Sequence, residues 1–154
     1  MSKVTKASQL FKDGCACSQA ILTAYGEPLG IPHKVAMQIA AGFAGGMRLG
    51  ETCGAVTGAF MVLGLRYASE NSETVAGRAG IYARVAEFTG KFQSRNGSII
   101  CRELLGCDVS TPEGRKEAQE RNLFKTVCVR IVEDAAAILE EMEAESRPDA
   151  GSRS

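Results

Sequence analysis

Apolar residues recur at three- and four-residue steps, no stretch alternates with a period of two, and turn-forming residues fall at helix-length intervals. Together these predict an all-α fold: one domain, built as a bundle of five to seven helices. At 154 residues the core holds such a fold without covalent staples. The domain is expected over residues 1–145. Residues 146–154, with Pro148, Gly151 and Ser152, read as a disordered tail.

The elements follow in order. Residues 3–12 form a short first helix that Asp13-Gly14 interrupts, and 17–25 resume it, with Gly26 as C-terminal cap and Pro28 beyond. Pro32 suits the first turn of a helix running through Val35, Ile39 and Ala40 to about Phe43. Gly45, Gly46 and Gly50 stud the next loop and permit left-handed backbone. Thr52 is the expected N-cap of a helix over 53–68, and Asn71 or Ser72 caps a further one reaching Phe92. After the Asn96-Gly97 turn, Ser98 caps a short helix over 99–105. Thr111-Pro112-Glu113 opens one last long helix, whose stripe is Phe124, Val127, Cys128, Ile131, Ala135, Ile138 and Met142.

Composition removes several classes of function. With 18 basic and 18 acidic residues, no tryptophan and 6% aromatics, the chain has neither a basic stripe nor stacking platforms for nucleic acid. The acidic run Glu140, Glu141, Glu143 and Glu145 reads as a solvated helix face. The stretch 55–65 is broken by Gly58 and Gly64 and is too short for a bilayer, and the first six residues lack an apolar signal region. A cytoplasmic protein is therefore expected, and a homodimer is compatible with its glycine-lined helix faces. No phosphate-cradling loop, dinucleotide fingerprint or serine–histidine pattern occurs.

Six cysteines in a reducing compartment point to ligands, reactive thiols or core filler rather than disulfides. Cys53 falls in the first turn of its helix, where free amides and the dipole favour thiolate. Gly54 and Gly58, four apart, share one helix face and let a backbone or a cofactor approach. Cys101 follows Ser98 in another first turn, and Cys17 starts its own helix. Cys128 is placed inside the last helix, where it reads as a small buried hydrophobe. The absence of Cys-x-x-Cys means that any shared site is assembled from separate helices. His33, beside Pro32, reads as a solvated first-turn residue. Arg48 and Glu51 flank the glycine loop, and Arg48 is a candidate for holding an anion or a cluster's charge.

Cys17-Ser18-Gln19-Ala20, the run Glu51-Thr52-Cys53-Gly54-Ala55-Val56-Thr57-Gly58-Ala59, Cys101-x-Glu103-Leu104-Leu105-Gly106 and Cys128 resemble a bacterial and archaeal family, C_GCAxxG_C_C, described as redox-active. The likeness runs from about residue 11 to residue 136. It implies four functional cysteines, Cys17, Cys53, Cys101 and Cys128, and a similar domain in split-Soret cytochromes implies an iron–sulfur centre. The Cys-x-x-Cys-His haem site of those cytochromes does not occur here. Cys15 and Cys107 have no counterpart among the four.

Three functions are compatible with this pattern. The first is electron transfer with an unidentified redox partner, through an iron–sulfur cluster held by the four thiolates. Gly45, Gly46 and Gly50 would give amides to its sulfurs. Zinc is the alternative metal, but it is redox-inert and its structural sites favour closely spaced cysteine pairs. The second is thiol–disulfide chemistry with Cys53 attacking and another of the four, such as Cys101, resolving. The third is a helical scaffold with no cofactor.

Overall fold

The computed structural model describes residues 1–68 and 71–146. They form eight α-helices, α1 (Lys3–Lys12), α2 (Cys17–Gly26), α3 (His33–Ala40), α4 (Gly54–Tyr67), α5 (Val75–Asn96), α6 (Cys101–Leu105), α7 (Pro112–Glu120) and α8 (Val127–Ser146), and no strand. The fold is all-α.

The helix pair α2–α4 is the centre of the molecule, and α1, α5 and α8 pack around it. Its intimacy comes from small residues. Ala20, Ala24, Ala55 and Ala59 are fully or almost fully buried. A Cβ on Gly58 would stand 3.1 Å from the Ser18 carbonyl oxygen and 3.2 Å from Ile21 Cβ. Larger side chains fill the space outward: Phe88 packs edge-on to Phe60 and stacks with Phe92, both at 6.0 Å between centroids. Three polar side chains in this half are anchored to backbone. Ser18 donates to the Ala40 carbonyl at 2.8 Å, Tyr25 to the Ala136 carbonyl at 3.0 Å, and Arg66, lying over the Tyr25 ring, to the Leu139 carbonyl at 2.8 Å. A smaller cluster of Cys101, Leu105, Val109, Ala118 and Leu123 lies beside the main core.

Several boundaries differ from those read in sequence. The N-cap of α4 is Cys53, not Thr52, and Thr74 rather than Asn71 or Ser72 caps α5, its hydroxyl accepting the Gly77 amide at 2.9 Å. Helix α5 runs past Phe92 to Asn96, where left-handed Gly97 (φ 84°) ends it. Ser98 accepts the Ile100 amide at 2.9 Å, one step earlier than a cap, so α6 begins at Cys101. The expected long last helix is two helices. Asn122 takes a left-handed φ of 57°, and the turn it makes swings Leu123 inward before α8 begins. The apolar stripe read in sequence begins only at Phe124, inside this turn, so it carries no signal of the break before it.

The acidic run on α8 is partly solvated, as expected, and its carboxylates are also paired. Glu140 accepts from Tyr25 at 3.1 Å, Glu141 pairs with Arg95 at 2.6 Å, Glu143 with Arg66 at 3.2 Å and Glu145 with Lys91 at 3.0 Å. Ser146, assigned by sequence to the tail, closes α8. The rest of the expected tail, 147–154, lies outside the described residues.

Candidate functional site

Four local devices bring four cysteines to one place. Cys17 is the first residue of α2, entered through Ala16, whose amide is accepted by Gln19 Oε1 at 3.0 Å. Cys53 caps α4 and Cys101 opens α6. These last two are fixed side by side by a single antiparallel bridge between Thr52 and Ile100. In it the Cys53 amide donates to the Ile99 carbonyl at 2.7 Å and the Cys101 amide to the Glu51 carbonyl at 2.6 Å. Cys128 is the second residue of α8, because the Asn122 turn restarts the helix just before it. Cys128 lies in the last helix as expected, but in its first turn rather than its interior, so all four cysteines sit at helix N-termini.

They line one cavity of about 200 Å³. Its walls are mostly hydrocarbon, from Phe11, Leu104, Leu105, Val109, Phe124 and Ile131. Cys53 and Cys101 are 7% and 8% exposed, and Cys17 and Cys128 are half-buried. Two cationic side chains, Arg48 and Arg115, also reach the lining.

The glycine loop forms one rim. Gly45, Gly46, Met47 and Arg48 are consecutively left-handed, with φ of 64°, 64°, 60° and 60°. For Met47 and Arg48 that backbone costs about 1–2 kcal/mol each, and strain retained beside a cavity is a mark of functional sites. The turn closes with the Glu51 amide donating to the Gly46 carbonyl at 3.2 Å, and a Cβ on Gly46 would run into the Glu51 backbone. Gly45 lines the cavity and gives its amide to Cys17 Sγ. Gly54 also lines it, and a Cβ there would stand 2.5 Å from that same sulfur. Gly46 and Gly58 do not reach the lining: one closes the turn and the other seats α4 on α2.

The four thiols are not equivalent. Cys17 is drawn down to about 7, first by the hydrogen bond from Cys53, then by the amides of Gly45 and Ser18. Cys53, its proton engaged with Cys17 and its sulfur buried, is pushed far above the ordinary thiol range. Burial raises Cys101 to about 11 and Cys128 to about 12, with the charge on Cys17 adding to both. The expectation that Cys53 is the easily ionised thiol is therefore corrected. As the cap it is enclosed and acts as donor, and Cys17 receives the field of the converging amides.

Other candidates fall elsewhere. Cys15 lies in an outer groove with Lys12 and Lys125, and Cys107 packs on the small cluster. His33 is bonded to Glu27 at 3.1 Å, Glu51 is paired with Arg102 at 2.9 Å, and Glu103 accepts from Ser98 at 2.6 Å. Arg115 and the aromatic pair Phe11 and Phe124 were not legible as site residues. Their only signal is that they stand near cysteines whose convergence the sequence does not show.

Among the described residues, no group of three or more histidine, cysteine, aspartate or glutamate side chains is arranged to hold a metal ion. A single zinc needs ligands about 2.3 Å away, which crowds four sulfurs to within roughly 4 Å of one another. The donor set itself, four thiols around one cavity, has the chemistry of a polynuclear site that spreads its ligands.

Residues 15–142 match the family described as putative redox-active protein (C_GCAxxG_C_C), and the chain belongs to that family. Comparison with curated proteins and with solved structures gives no match. Among the described residues no helix is long and apolar enough to cross a membrane.

Proposed function

We propose that this is an electron-transfer protein whose cavity holds an iron–sulfur cluster on Cys17, Cys53, Cys101 and Cys128. The observation that carries the reading is the convergence of four thiols, from four separate helix N-termini, on one apolar space of about 200 Å³. A dithiol needs two sulfurs, and a scaffold has no reason to line a void with four. When bound, the cluster supplies one-electron chemistry. The chain's own contribution is to bring the four thiols to one cavity, to favour thiolate at Cys17 through the Gly45 amide, and to line the space with Phe11, Phe124 and the leucines. The electron partner is a separate molecule in the same reducing compartment, the cytoplasm.

Anaerobic reconstitution of the full chain tests this. A brown protein with stoichiometric iron and acid-labile sulfide, lost in Cys17→Ser and Cys128→Ser, is the expected outcome. A colourless, iron-free protein after reconstitution overturns it.

A second reading is supported by Cys17 and Cys53 lining the same cavity, where each shifts the other's titration. These two form a disulfide couple in which Cys17 attacks and Cys53 resolves, the reverse of the order expected from sequence. Mild oxidation of the iron-free protein would then remove two free thiols, and peptide mapping would place the bond between residues 17 and 53. Unchanged thiol counts would eliminate it.

A further inference from the structure

We propose that Arg48 and Arg115 form an anion-receiving pair which makes the cavity selective for negatively charged occupants; the identity of that occupant as a thiolate-ligated cluster rests on the preceding reading.

The argument begins with pairing. Arg102, beside Cys101 in sequence, is neutralised by Glu51 at 2.9 Å. Among the described residues, Arg48 and Arg115 have no carboxylate partner, and no aspartate or glutamate lines the cavity. Arg115 donates to the Val109 carbonyl at 3.1 Å, a neutral acceptor that fixes the side chain without cancelling its charge. Val109 is itself a cavity wall.

Arg48 is held by other means. Its Nη1 and Cδ lie 3.8 and 3.7 Å from the position a Cβ would take on Gly45, so the side chain folds back over that residue. The Gly45 amide in turn reaches Cys17 Sγ. Arg48 is exposed to solvent on one side while contributing to the cavity lining on the other, and its backbone is left-handed. Two unneutralised cations at the edge of an apolar space raise its potential, Arg115 through poorly screening hydrocarbon and the exposed Arg48 with part of its charge screened by solvent. Four thiolates with an iron–sulfur core are net negative, and reduction deepens that charge. The pair therefore complements both redox states and favours the reduced one.

Alkylation of the reduced, iron-free full chain decides the matter without any cluster. The rates of iodoacetate and iodoacetamide at Cys17 are measured by peptide mass spectrometry and referred to a free thiol. The anionic reagent is expected to be favoured in the native protein. Arg48→Gln should lower that preference about fivefold, Arg48→Lys should retain it, and about 0.5 M salt should weaken it. An unchanged preference in Arg48→Gln, or an equal loss in Arg48→Lys, overturns the proposal. Arg115→Gln removes a structural hydrogen bond, so its ratio counts only with an unaltered thermal midpoint, and Arg48→Gln decides alone otherwise. In reconstituted protein, Arg48→Gln should shift the reduction potential to more negative values. If no cluster assembles, the preceding reading falls while the alkylation ratio still judges the arginines.

Discussion

The two ends of this bundle are built on opposite principles. Around α2 and α4 the backbone is regular, glycine and alanine bring the helices close, and the buried Ser18 and Tyr25 hydroxyls end on backbone carbonyls. Around residues 45–53 and 99–128 the helices are short, four consecutive residues are left-handed, and a cavity remains open. The contrast shows one half supplying stability so that the other can tolerate strain, an unfilled volume and thiols held against their ordinary titration.

The comparison can be broken most easily at Gly58. Gly58→Leu places carbon against the Ser18 carbonyl and Ile21, and should cost about 3 kcal/mol or prevent folding. Denaturant midpoints measure it; a loss below about 1 kcal/mol would mean that α2 and α4 can part freely. Next in size is a pH effect at the other end. Thiolate is the reactive form, so Cys17 alkylation should fall about tenfold per pH unit below its value of about 7 and level off above it. A profile still rising through about 8.5, the range of an ordinary thiol, would remove the special position of Cys17. Tyr25→Phe deletes the hydroxyl bonded to the Ala136 carbonyl and Glu140, and should cost about 1–2 kcal/mol in thermal or chemical unfolding. The smallest change has the opposite sign. Met47→Gly relieves a left-handed residue, so it should stabilise the fold by about 0.5–1 kcal/mol. A loss of stability there would show that the turn is held by the Met47 side chain rather than merely endured.

The stable half was largely legible. Helix α1 falls at 3–12 as the spacing predicts, α2 begins at Cys17, and Thr111-Pro112 opens α7. Each is fixed by capping and periodicity over a few neighbouring residues. The site was legible as a set of residue types, since the four cysteines and the glycine run stand out in sequence. Its arrangement was not. The Thr52–Ile100 bridge joins segments 48 positions apart through one residue on each side, too short for any alternation to register. The Asn122 turn falls between α7 and the start of the stripe at Phe124, where no apolar spacing marks it.

The amino-acid order by itself determined that the chain is helical, where its glycines break it, and which cysteines stand at the starts of helices α2 and α6. These are local properties, set by backbone sterics and by the amides left free in a first turn. Tertiary structure alone decided that four sulfurs share one cavity, that Cys17 rather than Cys53 is the ionisable thiol, and that Arg48 and Arg115 face it together. Those outcomes depend on distances between residues remote in the chain, and such distances are fixed only when the helices have packed.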